Sequence, residues 1–160
     1  MITVPTLQLA TCRDAPRIAQ LSRDRIEQGL GWSWTAPRVE RSIADAETNV
    51  LVAADAGRLL GFGIMSYGDD DSAHLVLLAV AADSDRRGIG GAMLGWLEEA
   101  ARTAGTAHIG LEARVTNAAA RAFYARRGYV EVQELPGYYR GREACVRLTK
   151  DLGSGRNPVN

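Results

Sequence analysis

The sequence predicts a mixed α/β sheet with at least one parallel strand pair. Two strand-like runs form a hairpin, Val50 to Ala54 and Leu59 to Tyr67, with a tight turn at Ala56 and Gly57. HLVLLAVAA then gives a nearly continuous apolar run, the pattern of a central strand covered on both faces. Beyond it, strand and helix patterns alternate. A right-handed crossover through the helix after Asp85 would make the strand before it parallel to the one containing Glu112.

The remaining elements follow from period and punctuation. Thr6 to Ala10 alternates as a short strand, and Thr11 with Asp14 three positions on is a capping signal for a helix bearing Ile18, Leu21 and Ile26. GLGWSWTAP, Gly29 to Pro37, reads as a loop, followed by a short helix with Val39 and Ile43. The acidic loop GDDDS precedes the central strand. Ile89, Met93, Trp96, Leu97 and Ala100 form one apolar helix face that Gly105 ends. Ala107 to Val115 is a strand; Asn117 to Arg127 is an alanine-rich helix with Asn at its start and Gly128 past its end. YVEVQEL is a strand, PGYYRGRE a loop, and Cys145 to Leu148 a last short strand. One domain over residues 1–152 and a mobile tail over 153–160 are expected.

The totals exclude several classes. Of 160 residues, 46% are hydrophobic and 24% charged, close to the globular average, and the net charge is zero. A nucleic-acid partner would call for a basic excess, so none is expected. Cys12 and Cys145 lie far apart with no metal-ligand spacing, which suits unpaired thiols in a reducing cytoplasm and no metal. No run approaches the roughly 18 apolar residues of a membrane span, and the start lacks a leader pattern, so a cytoplasmic protein is expected.

RRGIGG stands where a helix begins, although Ser or Asp are the usual caps. Lacking Cβ atoms, the glycines can bring successive N–H groups against a bulky anion, with the helix adding its positive end. A flexible loop with a late helix start is the alternative. The P-loop pattern is absent, and no acidic ribose-binding residue stands about 20 residues on, so the dinucleotide fingerprint fits poorly.

These residues resemble the GNAT superfamily of acetyl-CoA-dependent N-acetyltransferases. Its [Q/R]-x-x-G-x-[G/A] pattern overlies Asp85, Arg86, Arg87, Gly88, Ile89 and Gly90, after the strand LLAV and before the helix GAMLGWLEEA. Asp85 departs from the family's Gln or Arg, and Arg86 or Arg87 can partly replace that charge. LEARVTNAAARAFYARRGYVEV, Leu111 to Val132, is similar to the family's L-E-x-R-x-S/T-N-x-x-A-x-x-x-Y-x-x-x-G-F, most closely in RimI-type enzymes that acetylate protein N-termini, especially the N-terminal alanine of a small-subunit ribosomal protein. The resemblance is strong from Leu75 to Leu148, and PGYYRGRE is similar to the Tyr-Tyr loop of those enzymes. It implies a GNAT fold: a mixed, mostly antiparallel sheet with a central, splayed parallel pair flanked by helices. It also implies acetyl-CoA as cosubstrate.

Moving acetyl from sulfur to nitrogen requires a neutral amine, a polarised carbonyl and a proton for the thiolate. Glu112 stands at the position proposed as base in RimI-type enzymes, and desolvation in an apolar strand would push its pKa upward. An ion pair with Arg114 or Arg121 is the alternative. Tyr124 matches the family's acid; it can equally fill the core beside Phe123. Backbone amides of Arg86 to Ala92 (Arg86, Arg87, Gly88, Ile89, Gly90, Gly91, Ala92) would hold phosphate, and those of Leu78, Ala79 and Val80 the carbonyl and the pantetheine arm. Asn117 would touch that arm or simply cap its helix, and Arg121 and Arg126 would meet phosphate or water.

Trp32, Trp34, Tyr138 and Tyr139 would line the acceptor site, or anchor loops. His74 and His108 each begin a strand without a matching partner and carry little functional weight. The acidic residues Asp69, Asp70 and Asp71 read as a solvated charge run. The acceptor is expected to be a primary amine, a protein or peptide N-terminus. Small-molecule amines and a non-catalytic acyl-CoA sensor are the alternatives, with monomer and homodimer both open.

Overall fold

The apolar period lengthens from two residues to 3.6 between Ala10 and Ala15, and there the first strand gives way to the first helix. In the computed structural model, which describes residues 5–84, 88–139 and 143–153, β1 (Thr6–Leu9) leads through a 3-10 turn (Cys12–Asp14) into α1 (Ala15–Arg25). The expected capping signal forms, with Asp14 Oδ2 accepting the Thr11 amide at 2.8 Å. α2 (Ala36–Ala44) takes Pro37 into its first turn, where the missing N–H costs nothing. β2 (Thr48–Asp55) and β3 (Arg58–Tyr67) form the hairpin, with Ala56 (φ 50°) and Gly57 (φ 78°) both left-handed as a two-residue turn requires.

β4 (Ser72–Val80), α3 (Ile89–Thr103), β5 (His108–Arg114) and α4 (Ala118–Ala125) follow, then β6 (Val130–Tyr139) and β7 (Glu143–Asp151). The seven strands are ordered β1-β2-β3-β4-β5-β7-β6, a GNAT-type mixed sheet. β4 and β5 are parallel, registered at Ser72↔His108, Ala73↔Ile109 and His74↔Gly110. The ladder ends there, although β4 continues to Val80 and β5 to Arg114.

Two expectations change. Pro136, Gly137, Tyr138 and Tyr139 belong to β6 instead of a loop. The register with β7 shifts between Leu135 and Tyr139, and a bulge on an edge strand absorbs a proline that an inner strand would reject. β4 is central, but Val76, Leu77, Leu78 and Val80 are only half-buried, so the strand is not covered throughout.

By its internal contacts the chain divides into two units, Met1–Tyr67 with Leu75–Ala100, and Gly68–His74 with Ala101–Asn160. In the first, Val50, Val52, Phe62 and Ile64 of the hairpin pack against Ile18, Ala19 and Val39 of α1 and α2. On β3, Gly61 and Gly63 alternate with Phe62 and Ile64, so they face the opposite way, toward Met93 and Leu97 of α3. In the second unit, Ile109, Leu111, Cys145, Val146 and Leu148 are buried along β5 and β7, with Tyr124 and Tyr129 around α4. Among the described residues no helix is long and apolar enough to cross a membrane.

A Cβ on Gly61 would lie 2.8 Å from the Ala79 carbonyl oxygen, whereas one on Gly63 would meet only the ends of Leu97 and Leu78 within 3.1 Å. Gly61→Ala is therefore expected to destabilise by about 1–3 kcal/mol, and Gly63→Ala by less, because leucine ends yield and backbone does not. Urea unfolding of both variants measures the difference.

Candidate active site

Gly88 adopts φ 75°, and a Cβ placed on it would meet no atom of the described residues within 4 Å. A side chain would be strained at that φ, and the backbone is approachable, as an anion cradle requires. α3 begins at the next residue, so the amides of Ile89, Gly90 and Gly91 precede its first ladder bond. That bond runs from the Ala92 amide to the Gly88 carbonyl at 3.0 Å. The Ala92 amide, expected to join an anion cradle, thus donates within the helix to Gly88. Arg86 and Arg87 lie outside the described residues, as do residues 154–160 of the expected tail.

The parity of β4 sorts its three expected donors. The Ala81 amide donates to Leu60 on β3, and the Ala79 carbonyl lies against Gly61 of the same strand. Alternation then turns the backbone groups of Ala79 toward β3 and those of Leu78 and Val80 away from it. Ala79 is thus committed to the sheet, and Leu78 and Val80 remain as candidates. The outward carbonyl of Val80 accepts from Arg25 Nε of α1 at 3.1 Å, a contact with no signal in the sequence.

The aromatic loop between α1 and α2 is organised by Glu27. Its carboxylate accepts from the Ser33 amide and hydroxyl, each at 2.7 Å, from the Trp34 amide at 3.2 Å and from the Ser22 hydroxyl at 3.1 Å. Burial alone would raise the pKa of Glu27, but these hydrogen bonds outweigh it and hold the group below its ordinary value. Trp34 packs against the core of the first unit under the Arg38 guanidinium, 3.8 Å from its ring centre. Trp32 is 44% exposed, with its Nε1 donating to the Ala19 carbonyl at 3.2 Å. Trp34 is therefore largely an anchor, whereas Trp32 offers a surface. Tyr138 and Tyr139 lie on β6, and their side chains fall outside the described residues.

In the second unit Glu112 sits on β5 directly opposite Arg147 of β7. Neither expected arginine pairs with it: Arg114 lies 3.4 Å from Glu143, and Arg121 grips Glu131 at 2.7 and 2.9 Å. Glu112 Oε2 instead meets His74 Nε2 at 2.5 Å, and its Oε1 meets the Arg147 guanidinium at 3.3 Å. The His74 hydrogen bond, with the charges of His74 and Arg147, overcomes desolvation and lowers the pKa of Glu112. The expected upward shift is corrected. His74, expected to lack a partner, has one because Gly110 beside it carries no side chain and Glu112 is the next residue on that face. Buried Cys145 has its thiol pKa pushed up by desolvation and by the Glu112 charge.

Tyr124 is 8% exposed, with edge-on contacts to Phe123 at 5.0 Å and Tyr129 at 5.5 Å. Phe123 turns partly outward beneath Arg127. Asn117 caps α4, its Oδ1 accepting the Ala120 amide at 3.0 Å, which leaves its NH₂ to reach any further partner. Arg121 donates to Glu131 and to the Val115 carbonyl. His108 and the acidic loop are tied together by backbone, with the Ala107 and His108 amides donating to the Asp71 carbonyl. Asp70 accepts from the Ser72 hydroxyl and amide. Among the described residues no group of three or more His, Cys, Asp or Glu could hold a metal ion.

The profile of the acetyltransferase (GNAT) family matches residues 16–129. An uncharacterised N-acetyltransferase of Methanocaldococcus jannaschii is 36% identical over 111 residues, 68% of this chain and 69% of that one. The [ribosomal protein bS18]-alanine N-acetyltransferase of Salmonella typhimurium is 28% identical over 134 residues, 84% of this chain and 86% of that one. Among solved structures, the ribosomal-protein-S18-alanine N-acetyltransferase of Escherichia coli superposes with a TM-score of 0.81 at 24% identity, covering 98% of this chain and 99% of that one. The chain belongs to the GNAT family of acetyltransferases. It is an acetyl-CoA-dependent N-acetyltransferase, transferring acetyl to an amine.

The depressed pKa of Glu27 sets a pH dependence. Its stabilisation is complete above the ordinary value of 4.5 and is lost as pH falls through the lower folded value. Glu27→Gln is expected to cost about 1–3 kcal/mol near neutral pH and to flatten the fall in stability on acidification. Thermal melts of both proteins across the acid range measure this.

Proposed function

We propose that the chain acetylates the free α-amine of a peptide or protein N-terminus. The observation that carries this reading is the half-buried carboxylate of Glu112, held ionised by His74 and Arg147 on the β5 segment that resembles RimI-type enzymes. A substrate amine arrives as an ammonium ion, and a fixed negative charge draws its proton away. Similarity to the Salmonella alanine N-acetyltransferase supports an N-terminal acceptor over a small amine. Exposed Trp32, on the loop that Glu27 fixes, supplies a flat amphipathic surface for the residues behind that terminus.

Bound acetyl-CoA supplies the acetyl group as an activated thioester. Gly88 through Gly91 would cradle its pyrophosphate at the start of α3, and the outward amides of Leu78 and Val80 would pair with the pantetheine arm and polarise the carbonyl. The Asn117 NH₂ would add a contact to that arm. Arg86, Arg87, Tyr138 and Tyr139 belong to the same proposal on sequence grounds. Tyr124 gives its phenolic proton to the departing thiolate.

Calorimetry with coenzyme A tests the cradle: Gly88→Val is expected to weaken binding about 10-fold, since a branched side chain at that φ costs about 1–2 kcal/mol. Thiol release is then followed with four acceptors: a short peptide with a free N-terminal alanine, the same peptide blocked, spermidine and kanamycin. Turnover should appear with the free peptide and vanish on blocking. Preference for spermidine or kanamycin would overturn the N-terminal assignment. Tyr124→Phe should lower kcat by about 10²-fold with coenzyme A affinity kept, and unchanged kcat would remove the acid role.

A further inference from the structure

We infer that the proton taken from the acceptor ammonium lands on the imidazole of His74, and that Glu112 is the group that positions and charges that imidazole. The inference rests on the acetyl-transfer reading above and reassigns the base within it. Its ground is geometric: His74 Nε2 lies 2.5 Å from Glu112 Oε2, with the His74 side chain 47% exposed and that of Glu112 only 12% exposed.

The two groups divide the requirements of a base between them. Glu112 is turned inward, with one oxygen on His74 and the other on Arg147, so an incoming ammonium meets the more exposed imidazole before the carboxylate. His74 is the more accessible member. A carboxylate at Nε2 fixes the neutral ring with its proton on that nitrogen, which leaves Nδ1 with a lone pair for the substrate. When Nδ1 takes a proton, the new imidazolium is already paired with a carboxylate, so the charge formed is stabilised where it forms. Arg147 faces the same carboxylate from β7 and keeps it ionised; Cys145, buried near Glu112, remains a thiol. Gly110 makes the pairing possible by leaving the space beside His74 empty of side chain.

The step balances. An N–H bond of the ammonium breaks and an Nδ1–H bond forms; the freed lone pair makes the C–N bond, the C–S bond breaks, and the thiolate takes the Tyr124 proton. The second proton lost from nitrogen restores Tyr124, and His74 releases the first to solvent.

The test compares pH profiles of kcat/KM for the alanine peptide between about pH 5 and about pH 9, where the acceptor's own ionisation is common to every variant. His74→Gln is expected to lose about 10²-fold in kcat/KM together with the enzyme's acid limb, while coenzyme A affinity stays within about 2-fold of wild type. Added imidazole should restore part of the activity of His74→Ala. Glu112→Gln should keep the limb and lower the plateau above it, because the imidazolium forms without its counter-ion. If instead Glu112→Gln abolishes the limb and His74→Gln retains it, Glu112 is the base and the inference is wrong. A second readout needs neither cofactor nor turnover. Nitrogen-15 spectra, assigned with His108→Gln, should show neutral His74 protonated at Nε2, and a ring protonated at Nδ1 overturns the proposal. Failure of the wild type to acetylate any acceptor would strike the functional reading, whereas an unaltered limb in His74→Gln strikes this inference alone.

Discussion

Three registered residue pairs between parallel strands carry much of this architecture. Ser72, Ala73 and His74 run beside His108, Ile109 and Gly110, and that register alone brings His74 to the carboxylate of Glu112. Parallel pairing cannot be made by a hairpin; it needs a long crossover, here the turn at Gly88 and the helix α3. The same connection that produces the register therefore also supplies the glycine turn and the helix start. One topological requirement thus accounts for two features that lie far apart in sequence.

Carboxylates do three different jobs in the molecule, and environment decides which. Glu131 forms a two-pronged surface pair with Arg121, of the kind worth little in water. Glu27, nearly buried, accepts from two backbone amides and two hydroxyls and so acts as the organising centre of a loop. Glu112 lies between these extremes, with an arginine on one oxygen and an imidazole on the other. The types and sequence surroundings of the three look alike. Their partners come from positions five to 38 residues away, across turns and strands.

Legibility in the sequence followed the range of the interaction. The hairpin turn at Ala56 and Gly57, the Thr11 and Asp14 cap and the Asn117 cap all depend on neighbours within a few residues, and all were readable. The GNAT fold was readable through motifs in two contiguous stretches. Glu27 was not, because a glutamate after an amphipathic helix usually faces water. The partner of His74 was hidden for a different reason: it depends on the register of two strands joined only through a crossover. The strand through Pro136 was missed because proline signals a loop unless the strand is known to lie at an edge.

The close approach at Gly61 also has an evolutionary side. Met93 touches the space a Cβ would occupy there, so the sizes of residues 61 and 93 are not independent variables. A lineage can enlarge the first only along paths that first trim the second, and the Ala79 carbonyl narrows even those paths. Substitutions at two such contacting positions do not add independently in their effect on stability. The helix α3 is therefore tethered to β3 through its second and third turns.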